Sequence, residues 1–147
     1  MAAPEFNQID LLARDVAKSI AFYRALGLKI PKSAVWHGKT APHHVRLPMP
    51  NGMELSISSP LIARGYNKSY RDGGAKGSTP IIGFGVASRR AVDAVYRKLT
   101  KLGHAGKQPP WDAFWGSRYA IVADPDGHLV GLMSPVDPKR RYPGPDA

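Results

Sequence analysis

The stretch RYAIVADPDGHLVGLMSP, residues 118–135, decides the fold. Its two apolar segments, RYAIVA and HLVGLMS, have the composition and alternation of strands. The residues between them, Asp124-Pro125-Asp126-Gly127, are those that tight turns favour. The stretch therefore predicts two strands joined by a turn.

The region before this strand pair predicts one strand and one helix. Residues 80–87, PIIGFGVA, have the pattern of a strand, and Ser88 is suited to cap the helix that follows. Gly103 is placed to end that helix. The segment GKQPPWDAFWG between the helix and RYAIVA is rich in proline and aromatic residues, and it predicts a loop. The helix has an apolar face made of Val92, Val95, Leu99 and Leu102.

The first half of the chain repeats this order. Residues 5–13 predict a strand, and Asp15 caps a predicted helix over about 16–26. Pro50-Asn51-Gly52 matches Pro125-Asp126-Gly127 about 75 residues later, and Ser59-Pro60 matches Ser134-Pro135. The sequence therefore predicts a βαβββ unit that occurs twice. The other predicted strands of the first copy are 28–37, 43–48 and 53–58.

We interpret residues 1–147 as one domain made of two such modules. Hydrophobic residues make up 43% of the chain, which is enough for a core. The predicted parts are a first module at 5–60, a Gly-rich basic crossover loop at 61–79, a second module at 80–135 and a basic Pro/Gly-rich tail at 136–147.

Composition excludes several classes of protein. The chain has no cysteine, which excludes disulfides, thiolate zinc sites and a cysteine nucleophile. No apolar run approaches the roughly 18 residues of a membrane span, and no export signal is recognisable, so we expect a cytoplasmic protein. The net charge is +10, but the basic residues are spread from Arg14 to Arg141. This spread predicts a solvated basic surface and not a nucleic-acid-binding face.

Three segments together resemble the vicinal oxygen chelate superfamily of glyoxalases, bleomycin-resistance proteins and extradiol dioxygenases. They are ARDVAKSIAFYRALGL (13–28), RRAVDAVYRKLTKLG (89–103) and the stretch at 118–135. The resemblance implies an α+β fold in which tandem βαβββ modules form a curved mixed sheet, a cup or half-barrel, with helices on the outer face. It also implies a homodimer with a ligand cavity on the concave face.

The resemblance places a divalent ion on four side chains, two from each module. The matching positions are Gln8 with Glu54 (or Ser56, if the register shifts), and Ile81 with Gly131. A catalytic ion needs at least three protein ligands, and neither isoleucine nor glycine is one. We therefore expect no metal and no other cofactor, with Gln8 and Glu54 as vestigial positions. We interpret the five histidines as solvated or structural.

Small and aromatic residues predict a ligand site in place of the metal. Glycines within strands leave room for a ligand or, alternatively, relieve crowding where two modules or two subunits meet. Aromatic residues close together line a pocket or, alternatively, form a satellite core, and Arg118 pairs with a ligand or with a surface carboxylate. The expected ligand-binding residues are Trp36, Gly83, Gly85, Trp111, Phe114, Trp115, Arg118 and Gly131.

The predicted function is metal-independent binding of a small molecule that is planar, aromatic and amphipathic. By resemblance, such proteins sequester toxic natural products and so confer antibiotic resistance. The alternative is a metal-dependent lyase, isomerase or dioxygenase that uses Gln8, Glu54 and a third ligand. Asp10, on the same strand face as Gln8, is a candidate for that ligand or for a metal-free general base.

Overall fold

The computed structural model describes residues 3, 6, 8–66, 71 and 80–145. The chain divides into two compact units, residues 1–76 and 77–147. Each unit contains one four-stranded mixed sheet. The predicted α+β class and the repeated βαβββ order are confirmed.

The first unit has the strand order β1-β4-β3-β2. The β1–β4 pair is parallel, and the other two pairs are antiparallel. A 3₁₀ turn at Lys32–Ala34 precedes β2. The elements are β1 (Gln8–Leu12), α1 (Val16–Leu26), β2 (Val35–His37), β3 (Pro42–Pro48), β4 (Glu54–Ser58) and α2 (Pro60–Tyr66).

The second unit has the equivalent order β5-β8-β7-β6, again with one parallel pair, β5–β8. A 3₁₀ turn at Pro138–Arg140 follows the last strand. The elements are β5 (Ile81–Gly85), α3 (Arg89–Lys101), β6 (Gly106–Asp112), β7 (Arg118–Ala123) and β8 (Leu129–Met133).

Both long helices begin at the capping residues that the sequence predicts. The Asp15 carboxylate accepts a hydrogen bond from the backbone N–H of Lys18, and the Ser88 hydroxyl accepts one from Ala91. Gly27 ends α1 with a φ of 121°, a conformation that other residues rarely adopt. Leu102 was predicted on the apolar face of α3, but it follows the helix and is 60% exposed. The buried residues of α3 are Val92 and Leu99.

Three elements differ from the sequence prediction. The strand predicted at 28–37 is confined to Val35–His37, because the chain forms a 3₁₀ turn at Lys32–Ala34. The segment predicted as a loop before RYAIVA contains strand β6, which tolerates Pro109 and Pro110 because it is the edge strand and its register shifts beside them. The start of the predicted crossover loop forms helix α2. The rest of that loop, apart from residue 71, lies outside the described residues. Within the described part of the chain, no helix is long and apolar enough to span a membrane.

Candidate ligand-binding site

The two faces of the first sheet differ in chemistry. One face carries aliphatic residues such as Val45 and Ile57, which are buried where α1 packs. The strand register brings Asp10, Ser56 and Arg46 side by side on the other face. We call this other side the polar face. Its polar and aromatic residues are Gln8, Asp10, Trp36, His44, Arg46, Glu54, Ser56 and Ser58.

A cavity of about 510 Å³ opens on the polar face. Strands β1, β2 and β3 supply four of its residues, and helix α2 supplies Ile62 and Tyr66. Its volume lies within the roughly 300–1,000 Å³ that small-molecule sites occupy. The lining residues are Gln8, Asp10, Trp36, His44, Ile62 and Tyr66.

A hydrogen-bonded chain holds the polar groups of the cavity in place. The hydroxyl of Ser58 lies 2.9 and 3.0 Å from the two carboxylate oxygens of Asp10, and Nδ1 of His44 lies 3.1 Å from the same hydroxyl. The Tyr66 hydroxyl donates a further hydrogen bond to Asp10 at 3.0 Å. Ser58 itself is completely buried. The arrangement fixes Asp10 and His44 on a rigid strand scaffold.

The direction of these hydrogen bonds determines which nitrogen of His44 carries the proton. A carboxylate only accepts hydrogen bonds, so Ser58 donates its single proton to Asp10. The hydroxyl oxygen must then accept from Nδ1–H of His44. In the neutral imidazole, Nε2 is therefore unprotonated and is a hydrogen-bond acceptor.

The family's four metal positions do not fit a metal ion in this chain. Gln8 and Ile81 each lie seven residues before a helix cap, and the registers Asp10–Ser56 and Gly83–Gly131 make Ser56 the equivalent of Gly131. The four equivalent side chains are then an amide, a hydroxyl, an isoleucine and a glycine, with no carboxylate or imidazole.

Glu54, the other vestigial position, is already neutralised by a basic residue. Its carboxylate lies 2.8 Å from Nε of Arg46 on the neighbouring strand, and it accepts a hydrogen bond from Ser56 at 3.4 Å. A guanidinium at this distance opposes the binding of a cation. Arg46 therefore competes with a cation for this carboxylate.

The second sheet presents an apolar face at the positions equivalent to the polar face. Ile81 and Met133 on this face are 47% and 38% exposed. A Cβ added at Gly83 or Gly85 would meet no atom within 4 Å, so these two glycines leave open space as predicted. We call this side the apolar face. Its residues are Ile81, Gly83, Gly85, Trp111, Tyr119, Ile121, Ala123, Leu129, Gly131 and Met133, with Gln108 as a polar member on the edge strand.

Gly131 makes room for side chains of its own sheet, which differs from the predicted crowding between two modules or subunits. A Cβ at this position would lie 2.8 Å from the hydroxyl of Tyr119 and 3.1 Å from Cγ2 of Ile81. Tyr119 therefore occupies the space above the glycine. Burial raises the pKa of the Tyr119 phenol.

The aromatic residues around β6 form a packed cluster. The Trp115 ring contacts Trp111, Phe114 and Tyr119 edge to face, at centroid distances of 5.8, 5.0 and 5.3 Å. Tyr142 of the predicted tail donates backbone and side-chain hydrogen bonds onto this segment. The satellite-core alternative thus describes the packing, while ligand binding by these residues stays a prediction.

Arg118 is engaged by protein carboxylates. Its guanidinium lies 3.0 Å from Asp93 on α3 and 3.2 Å from Asp112 on β6, and Arg89 also pairs with Asp112. Burial alone would raise the pKa of the Asp112 carboxyl. The hydrogen bond from Arg118 and the charges of both arginines outweigh burial and lower this pKa. Because side chains alternate along a strand, Arg118 lies on the side opposite Tyr119. The structure therefore shows the salt bridge that the sequence left as an alternative.

The cavity is lined by some residues that the sequence analysis singled out and by others that it did not. Gln8, Asp10 and Trp36 were singled out from the sequence, and all three line the cavity. His44 was interpreted as structural, and Tyr66 was placed in a loop. The alternating pattern of β3 places His44 on one face, but its partner Ser58 becomes apparent only from the β3–β4 register.

Comparisons with known proteins agree with this architecture. Residues 5–132 match the model of the Glyoxalase/Bleomycin resistance protein/Dioxygenase superfamily. A family enzyme from Burkholderia phytofirmans PsJN is similar in structure, with a TM-score of 0.71 at 15% identity over 89% of this chain and 98% of that one. A glyoxalase-related enzyme from Fulvimarina pelagi has a TM-score of 0.69 at 20% identity over 90% and 89% of the two chains.

These two structural similarities, at under 25% identity, show the fold alone. No curated protein matches the sequence. The family model covers most of the chain, including the helices α1, α2 and α3 and the strands β1 to β8 apart from the last residue of β8. The chain therefore belongs to the glyoxalase/bleomycin resistance protein/dioxygenase superfamily.

Proposed function

We propose that the protein binds a planar, amphipathic small molecule in the cavity of the polar face, without a metal and without breaking a bond. The observation that carries the proposal is the indole of Trp36, which lines the cavity and is 52% exposed. Large aromatic side chains at a cavity wall are common in ligand sites, because they offer a flat apolar surface that a ring can cover.

The lining suits a ligand that is apolar on its faces and polar at one edge. Trp36, Ile62 and Tyr66 supply apolar surface, while Asp10 and His44 supply fixed polar groups. Asp10 and His44 are held by Ser58, so little conformational freedom is lost when a ligand pairs with them. Affinity then comes from stacking, desolvation and a few oriented hydrogen bonds.

The donor set supports the metal-independent part of the proposal. The positions where metal-binding relatives of this family hold an ion carry Gln8, Ser56, Ile81 and Gly131, and Glu54 is paired with Arg46. We expect the purified protein to carry well under one equivalent of zinc, nickel, iron or manganese. Stoichiometric metal that is lost on Glu54→Ala would contradict the proposal.

A second candidate is a metal-free enzyme that moves a proton. The unprotonated Nε2 of His44, oriented through Ser58 and Asp10, has the arrangement of a general base. This candidate is distinguished from binding alone by following a bound ligand over time. Chemical conversion that is lost in His44→Gln favours the enzyme, whereas recovery of the unaltered ligand favours the binding protein.

The proposal includes sequestration of a toxic natural product, which family membership supports.

The proposal also includes assembly as a homodimer. The exposed side chains of Ile81 and Met133 support a dimer, since pairing of two chains covers apolar surface. Light scattering at micromolar concentration is expected to give the mass of two chains, and a 16.0 kDa species would contradict the dimer.

Replacing Trp36 tests the proposed site. Calorimetry on EDTA-treated protein with a set of planar polycyclic compounds is expected to find saturable binding. Trp36→Ala should weaken it about tenfold to a hundredfold, because stacking on an indole is worth roughly 1–3 kcal/mol. Trp36→Phe, the matched control, keeps an aromatic face and should retain most of the affinity. Equal affinity in all three proteins would place the ligand elsewhere.

A further inference from the structure

We infer that the ligand of this cavity carries a positive charge, or a cluster of N–H donors, at the edge of its aromatic ring. The inference rests on the proposed function and names the class of ligand. It comes from counting which hydrogen-bonding groups the lining residues leave unused.

Asp10 is an acceptor with spare capacity. Its carboxylate receives hydrogen bonds from Ser58 and Tyr66, both of which are neutral hydroxyls. A carboxylate has about four acceptor positions, so it can bind further donors. Among the residues that the structure describes, no lysine or arginine side chain pairs with Asp10.

Two other lining side chains offer acceptors as well. His44 uses its Nδ1–H on Ser58, which leaves the lone pair of Nε2. The amide of Gln8 can offer either a donor or an acceptor. A ligand edge rich in N–H donors can therefore pair with the Asp10 carboxylate, with Nε2 of His44 and with the amide oxygen of Gln8.

The distribution of charge around the cavity also favours a cationic ligand. The chain has 21 lysine and arginine residues against 11 acidic ones, yet the carboxylate in this cavity has no basic partner among the described residues. Arg46, the basic residue of the polar face, is paired with Glu54. The face of Trp36 adds the negative side of an aromatic quadrupole, which attracts cations. An anionic ligand would meet repulsion and leave the acceptors unpaired.

The expected class is therefore an aromatic cation, such as an amino-substituted heterocycle, an aryl amidine or a ring bearing an ammonium group. Proflavine and acridine-9-carboxylate are suitable probes, because they share one ring system and carry opposite charges near neutral pH. Calorimetry is expected to give at least tenfold tighter binding of proflavine, with an affinity that falls as salt is added.

Asp10→Asn tests the role of the carboxylate, since it removes the charge and keeps the shape. Proflavine affinity should fall about tenfold, while the affinity for acridine-9-carboxylate should rise or stay the same. Asp137→Asn is the matched control, because it makes the same change of charge at the partly exposed cap of the last 3₁₀ turn, outside the lining of the cavity. It should leave the affinity for both probes unchanged.

The outcomes separate the inference from the proposed function. If both probes bind equally well and Trp36→Ala weakens both, the cavity binds planar molecules but does not select cations, and the inference is wrong. If neither probe binds, the proposed function fails with it. The comparison of the two probes on the unaltered protein decides the matter even if Asp10→Asn does not fold.

Discussion

The two units of this protein share one backbone plan and differ in the chemistry of one sheet face. Gln8 and Asp10 on β1 correspond to Ile81 and Gly83 on β5, as the distance from each strand to its helix cap shows. The first unit consequently presents a hydrogen-bonded carboxylate, and the second presents flat apolar surface. The repeated pattern of the sequence determines the backbone fold of both units, and differences at alternate strand positions determine the chemistry of each face.

The sheet faces covered by the long helices are alike in the two units, so the fold does not depend on the differences between the polar face and the apolar face. In both units the side chains under the long helix are buried aliphatic residues, such as Val45 and Ile57 in the first and Val130 and Leu132 in the second. Such residues provide the hydrophobic stabilisation of each sheet. The opposite faces are therefore free to diverge, and the proposed ligand site lies on one of them.

The largest expected effect comes from removing the hydroxyl that organises the polar face. Ser58→Ala leaves Asp10 and His44 without their shared partner, and loss of a hydrogen bond to a charged group costs roughly 1.5–3 kcal/mol. Its counterpart in the second unit, Met133→Ala, removes a partly exposed side chain and should cost less than about 1 kcal/mol. Chemical denaturation measures both. Equal losses would show that the two faces contribute alike to stability.

A smaller effect is expected from filling the glycines of the apolar face. Gly131→Ala should destabilise the protein by about 1–2 kcal/mol, because the new Cβ displaces Tyr119 and Ile81. Gly83→Ala meets open space and should be neutral or slightly stabilising, since alanine restricts the unfolded chain. Thermal unfolding of the pair checks the prediction. If Gly83→Ala is the more damaging change, the open space above β5 is not present in solution.

The smallest expected effect is a change of stability with pH at the turn Asp124-Pro125-Asp126-Gly127, which the matching turn Pro50-Asn51-Gly52 should not show. The hydrogen bond from His128 to Asp124 at 2.7 Å raises the pKa of the imidazole, although burial opposes the shift. The stabilisation is complete below about pH 6.5, the ordinary histidine pKa, and it is lost as pH rises through the higher folded value. The difference in unfolding free energy between the wild type and His128→Gln should therefore shrink with rising pH in this range.

The equivalent turn of the first unit provides the control for that experiment. There Asn51 accepts a hydrogen bond from the backbone N–H of Met53, and an amide does not titrate. The stability difference between the wild type and Asn51→Ala should be independent of pH over the same range. A pH-dependent difference at Asn51, or a constant one at His128, would contradict the assignment.

Much of the frame could be predicted from the sequence, because local signals specify it. Asp15 and Ser88 cap the helices as predicted, since capping needs only neighbouring residues. Strand β6 was missed because Pro109 and Pro110 normally end strands, and only the position of β6 at the sheet edge permits them. Helix α2 was missed although Pro60 stands at its first position, a common place for proline.

The site was harder to predict because it depends on pairing between distant strands. Gln8 could be identified through the resemblance to the family, and Asp10 by alternation along β1 from Gln8. Ser58 lies 48 residues from Asp10, and its role follows from the parallel pairing of β1 with β4. Alternation likewise placed the glycines of the second unit on one face, but the tyrosine above Gly131 follows from the β7–β8 register.

The most direct test of the account is an NMR titration that observes the three tryptophan indoles separately. Trp36 belongs to the first unit, while Trp111 and Trp115 belong to the second, so their Nε1–H signals report on different units of the chain. Adding proflavine to EDTA-treated protein should shift the Trp36 signal saturably and leave the other two nearly unchanged. Saturable shifts of Trp111 and Trp115 with an unmoved Trp36 would contradict the account and place the ligand on the apolar face.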